Sequence, residues 1–116
     1  MSFVSVGVAN ATRPDIVEPC LVFVDDGVWH SILPTAFLER LGIRPLSRET
    51  FHLTNGNSLT RHRGATLVTL GPRIGLTNVL FGEPGDAALL GTDALIALTM
   101  VVDRNTGDLM EPEMTL

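Results

Sequence analysis

The stretch Leu21-Val22-Phe23-Val24-Asp25-Asp26-Gly27-Val28-Trp29-His30-Ser31-Ile32-Leu33-Pro34 decides how the rest of the chain is read. Four apolar residues run into two adjacent acids and a glycine, and the chain turns apolar again before a proline. This pattern describes a buried strand that delivers carboxylates to a tight turn. An unpartnered carboxylate at the end of a buried strand is expensive, so its presence asks for a reason. Asp-Gly between two apolar runs is also an ordinary hairpin signal, so the stretch alone leaves both readings open.

The 116 residues suit one domain, 1–116, with 45% hydrophobic and 18% charged residues, a globular composition. The net charge is −5 and the eight basic residues form no run, which argues against a nucleic-acid partner. Cys20 is the single cysteine, so no internal disulfide can form and no second thiol offers metal-ligand spacing, as in a reducing compartment. Met1-Ser2-Phe3-Val4 has neither the basic region nor the apolar core of a secretory signal. No apolar run approaches the roughly eighteen residues of a membrane span. The expectation is a soluble, cytoplasmic protein with no membrane partner.

Working outward, Val4, Val6 and Val8 alternate with small residues as a first strand, and a second is expected from Ile16 to Val24 with Pro19 at an edge or a bulge. Val28 to Leu33 reads as a further strand. Pro34 suits the first position of a short helix whose Phe37, Leu38 and Leu41 share a face and which Gly42 ends. Extended segments are expected at 49–53, 65–70 and 76–81, a second helix at 92–98, and extended chain at 100–103 and 108–116. Thr54-Asn55-Gly56-Asn57 is a hairpin signal that predicts a type I′ turn. Its arms are polar, so the hairpin is expected to project from the body and move.

Leu33-Pro34-Thr35-Ala36-Phe37-Leu38-Glu39-Arg40-Leu41 and Leu90-Gly91-Thr92-Asp93-Ala94-Leu95-Ile96-Ala97-Leu98 repeat three leucines and a threonine at an offset of 57. The two halves thus read as one supersecondary unit used twice: strand, turn, apolar strand, short helix. By the same offset Asp25-Asp26-Gly27 falls on Gly82-Glu83-Pro84, which lacks the Asp-x-Gly pattern. Chemistry that needs two facing carboxylates would draw the second from another copy across a two-fold axis.

In this order and spacing, Val24-Asp25-Asp26-Gly27-Val28, Ser31-Ile32-Leu33-Pro34, the Asn-Gly hairpin, Val79-Leu80-Phe81 and Leu89-Leu90-Gly91 resemble the retropepsin-like aspartic proteases of clan AA. The small single-domain bacterial members, with Leu-Pro after the active-site strand and a terminal Val-Val-Asp like Val101-Val102-Asp103, are the most similar. The resemblance implies an all-β closed barrel with a flap hairpin and one or two short helices. It also implies a homodimer that hydrolyses peptide bonds without a cofactor or metal. Asp25 takes the position of the catalytic aspartate, Asp26, Gly27 and Val28 those of the active-site turn, and Thr54, Asn55, Gly56 and Asn57 those of the flap tip. Trp29 is a candidate for a substrate pocket, with a core or interface role as the alternative.

Two residues depart from the family pattern. Asp26 stands where Thr or Ser donates and accepts hydrogen bonds across the dimer axis, and an ionised aspartate only accepts. Two copies would gather four carboxyls in one patch, so association is expected to weaken toward neutral pH. Val28 stands for alanine and adds bulk beside the substrate backbone. A catalytically impaired homodimer that binds peptides is therefore the alternative function, and a β domain with a plain hairpin turn is a third. His30, His52 and His62 offer no third ligand, although His52 and His62 could face each other across the hairpin. Ser31 and His30 point to opposite strand faces and so do not pair as nucleophile and base.

Overall fold

The structure is a computed structural model that describes residues 2–116; Met1, the first residue of the expected 1–116 domain, lies outside the described residues. In chain order the elements are β1 (Phe3–Ala9), β2 (Val17–Val24), β3 (Ile32–Pro34), α1 (Thr35–Arg40), β4 (Ser47–His52), β5 (Ser58–Leu70), β6 (Arg73–Gly82), β7 (Leu89–Leu90), α2 (Thr92–Leu98), β8 (Val101–Val102) and β9 (Leu109–Met110). Strands dominate, and the helices have six and seven residues.

The sheet order is β1-β2-β7-β3-β6-β5-β4, and β1 pairs again with β5 through Gly7 to Ala9. Six strands therefore form a closed ring, with β4 outside it on the free edge of β5. Closure removes most of the unpaired edge that an open sheet of this size would present. The interior holds Val6, Val8, Val22, Val24, Val68 and Val79, the inward members of alternating strand patterns. Pro19 pairs opposite Gly7, while β7 reaches β2 only at Phe23 and Val24. At Pro19 the second side of β2 is thus an edge, as a residue without an N–H requires.

The repeat is visible in the strand pairing. Val24 lies beside Leu90 in a parallel pair, and Phe81 lies beside Leu33 in the equivalent pair, each partner displaced by the offset of 57. The strands β3 and β7 meet antiparallel at the centre, Ile32 opposite Leu89. Leu33, Leu38 and Leu41 and their counterparts Leu90, Leu95 and Leu98 are all buried. Helices this short do not stand on propensity; burial of roughly 2 kcal/mol per leucine holds them.

The helix ends repeat as well. In α1 the Gly42 N–H donates to the Glu39 carbonyl at 2.9 Å and the Ile43 N–H to the Leu38 carbonyl at 3.0 Å, a Schellman closure with Gly42 at φ +74°. In α2 the Thr99 and Met100 N–H groups donate to Ile96 and Leu95 at 3.1 and 2.9 Å, with Thr99 at φ +53°. Thr99 is the non-glycine residue found at positive φ among the described residues, and its β-branch makes that conformation costly.

Several expected elements differ in extent. The Val28–Leu33 segment is strand only at Ile32–Pro34, because the Val28 and Trp29 carbonyls accept the Thr92 and Asp93 N–H groups of α2 instead of a ladder partner. Pro34 is the N-cap of α1, with extended ψ of 137°, rather than its first helical residue. Ser58–Leu70 is one strand of 13 residues, pairing with β4 at its start and with β6 further on, so the hairpin and barrel share a continuous backbone. The hairpin turn is not type I′. Gly56 alone has positive φ there, and the Gly56 N–H donates to the Leu53 carbonyl at 3.1 Å while the Leu53 N–H donates to the Asn57 carbonyl at 2.8 Å. That is a three-residue loop with glycine in the left-handed position, which leaves Asn55 in ordinary backbone space. Near the C-terminus only 101–102 and 109–110 pair as strand.

Equivalent positions 42 and 99 predict opposite substitution effects. Thr99→Gly should raise unfolding free energy by about 1 kcal/mol, whereas Gly42→Ala should lower it by about 1 kcal/mol. Urea unfolding of the two variants beside the parent checks both signs.

Candidate active site

The strand β2 ends at Val24, and the next three residues form the acidic turn. The Asp25 N–H donates to the Leu90 carbonyl at 3.0 Å, which ties the start of the turn to β7. The Gly27 N–H donates to Asp25 Oδ1 at 3.0 Å, and the Val28 N–H reaches the Asp25 carbonyl at 3.4 Å. Together these bonds orient the carboxyl from inside its own turn. Asp25 is half-buried, and among the described residues no cation lies within ion-pair distance of it.

A buried hydrogen-bond relay holds the turn's far side. The Ser31 hydroxyl, on a residue 3% exposed, donates to Asp93 Oδ1 at 2.6 Å and accepts from the Gly91 N–H at 2.9 Å. Asp93, in the first turn of α2, also accepts the Ala94 N–H at 2.6 Å, so one carboxylate binds its own helix turn and anchors the chain before β3. The Thr92 hydroxyl donates to the Asp26 carbonyl at 2.9 Å, and Thr35, its counterpart in the repeat, donates to the Gly82 carbonyl at 2.8 Å. Gly91 permits this contact: a Cβ there would lie 2.8 Å from the His30 carbonyl and the Trp29 oxygen, both backbone atoms.

Asp26 is largely covered, at 17% side-chain exposure, and its Oδ2 lies 2.9 Å from Arg104 Nη1. Arg104 and Asp93 are site residues that no sequence motif singled out, whereas Thr92 stood out only as the repeated threonine. Asp93 carried a local sign, an acid in the first turn of the second repeat helix. Arg104 carried none, since its partner is far away in sequence.

The second acidic turn, 83–86, is held differently. Arg61 of β5 donates from Nε and Nη2 to both Asp86 oxygens at 2.8 and 3.0 Å, and its side chain is only 11% exposed. Hydrogen bonding from Arg61 lowers the Asp86 carboxyl below the usual range, opposed by desolvation and aided by the Glu83 N–H and the nearby guanidinium charge. The same bond raises Arg61 further. This pair fastens the hairpin strand to the turn.

The hairpin tip residues Thr54, Asn55, Gly56 and Asn57 are exposed and bond only within their own turn. Lower on the first arm, the Phe51 ring meets the His30 ring edge-to-face with centroids 4.8 Å apart. The hairpin is thereby joined to the loop that carries Asp25. His52 pairs opposite Ser58 and His62 opposite Arg48, so the two histidines do not face each other. Trp29 is 56% exposed, beside Leu76 and Ile96 on the barrel's outside, which excludes a core role. The clefts flanking α1 and the 83–86 turn are lined by Thr35, Glu39, Glu83 and Pro84, and Asp25 lines neither.

A closed strand ring with a hairpin at one edge and a duplicated strand–turn–strand–helix unit is the retropepsin-like aspartic protease fold. The solution structure of the simian foamy virus (mac) protease is similar at a TM-score of 0.57 and 18% identity, over 82% of this chain and 92% of that one. No protein-family model matches the sequence, and no curated protein matches it. No helix among the described residues is long and apolar enough to cross a membrane.

The depressed Asp86 carboxyl sets a pH dependence. Its folded pKa lies below the unfolded value of about 3.9, so the unfolded chain binds more protons as pH falls and the stabilisation, present above that value, is lost in more acid solution. Urea unfolding as a function of pH should show stability falling below about pH 4, with a shallower fall in Asp86→Asn.

Proposed function

We propose that the protein is an aspartic endopeptidase of the small single-domain bacterial type, active in the cytoplasm as a homodimer on peptide or protein substrates. The observation that carries the reading is the Asp25 turn: a half-buried carboxyl, oriented by the Gly27 N–H at 3.0 Å, with no cation partner among the described residues. The repeat supports the dimer, because its second turn is occupied by the Arg61–Asp86 pair and offers no second free acid. A symmetry-related chain would supply the missing aspartate.

Two like carboxyls about 3 Å apart cannot both ionise, so the pair holds one proton and titrates as a unit. The ionised member takes a proton from a water that attacks the peptide carbonyl, and the protonated member stabilises the developing oxyanion. The Gly27 backbone allows close approach of substrate, and the 54–57 tip acts as a flap over the cleft. A substrate held extended beneath it adds strand-like hydrogen bonds and excludes bulk water. No metal or cofactor takes part in this scheme.

Asp26 and Val28 favour a second reading, a homodimer of the same fold that binds extended peptides and cleaves poorly. Asp25→Asn separates the two. In the protease reading it lowers cleavage of a mixed peptide library by about a thousandfold or more over pH 4–8, with dimerisation unchanged. Residual cleavage equal to the parent, or a parent that sediments as a monomer, would sink the protease reading.

A further inference from the structure

The departure at position 26 carries its own answer. Arg104 sits in the turn between β8 and β9, which the Asp103 carboxylate shapes by accepting the Asn105 N–H at 2.8 Å and which the Gly107 N–H closes onto the Asp103 carbonyl at 2.7 Å. Ser2 stitches that turn to the end of β2: its carbonyl accepts the Val24 N–H at 2.9 Å, and its hydroxyl donates to the Gly107 carbonyl at 3.2 Å. The turn is therefore held beside the active-site loop by hydrogen bonds of Ser2 that do not involve Arg104. From there the guanidinium reaches Asp26 Oδ2 at 2.9 Å.

We propose that Arg104 is a positioning residue of the active-site turn, neutralising Asp26 within the chain and replacing the hydroxyl lock that a Thr or Ser would make to the partner. The inference rests on the dimeric reading above. It turns four carboxyls near the axis into two uncompensated ones, the Asp25 pair, and two internal ion pairs. Arg104 is 80% exposed in the single chain whereas Asp26 is 17% exposed, so water screens the pair from one side only. A second chain covering that side would remove the screening and strengthen the pair.

The test compares the parent with Arg104→Ala, Arg104→Lys, Asp26→Thr and the double variant Arg104→Ala/Asp26→Thr at neutral pH, by sedimentation over a concentration series and by peptide cleavage. Arg104→Ala should weaken dimerisation by about tenfold or more and reduce cleavage in parallel, because two bare Asp26 carboxylates then face each other. Arg104→Lys should recover most of the loss, and Asp26→Thr should rescue Arg104→Ala. Dimerisation of Arg104→Ala equal to the parent, or a double variant no better than Arg104→Ala, would overturn the proposal. Should the parent itself stay monomeric, the dimeric reading fails separately. A urea-unfolding cycle over positions 26 and 104 then judges the pair: additive effects reject it, and non-additive effects support it.

Discussion

The arrangement of the site depends on one buried hydroxyl. Ser31 accepts from the Gly91 N–H and donates to Asp93, and Asp93 in turn accepts the Ala94 N–H in the first turn of α2. Removal of that hydroxyl would leave a carboxylate and an N–H short of partners in a buried place, at about 1–3 kcal/mol. Through this relay the N-terminus of α2 receives the loop after Asp25, with the Val28 and Trp29 carbonyls completing the first helical N–H groups. The start of α2 and the loop after Asp25 thereby satisfy each other's backbone, so neither can shift alone.

Duplication explains why the site has this shape, and its imperfection explains why one half is chemically special. Both halves bring an apolar strand into an acidic turn and send the following strand across to the other half. In the second turn Asp86 is claimed by Arg61, and that ion pair serves the hairpin. In the first turn the cation goes to Asp26 and leaves Asp25 with only a backbone donor. The neutralised acids are structural, and the single uncompensated one is the candidate for chemistry.

What the sequence made legible follows from the range of the interactions. Strand alternation, the leucine repeat, the Gly42 helix end and the Asp-Asp-Gly turn are local patterns, and each has its counterpart in the fold. The extent of β3 was not legible, because the Val28 and Trp29 carbonyls are taken by residues more than sixty positions away. The hairpin turn departs from the type I′ geometry that Asn55-Gly56 suggests, since a three-residue loop needs left-handed backbone at glycine alone. The long strand β5 hid behind its polar first half, which faces β4 and solvent rather than the core. Arg104 was invisible for the same reason as every long-range ion pair: charge has no periodicity to reveal its partner.

An internal ion pair at position 26 also changes what a partner chain would need to provide. A hydroxyl lock ties the order of each active-site turn to the presence of the other chain. Here the turn is held by its own α2, its own Ser31 relay and its own Arg104, so in the proposed dimer each chain would bring an already ordered turn to the association. Preorganisation of that kind lowers the ordering entropy that association would otherwise cost. It also removes the cross-chain hydrogen bonds that would have held the halves together. In the proposed dimer the balance would tilt toward exchangeable association of rigid halves, with Asp25 meeting its counterpart only while two chains were in contact.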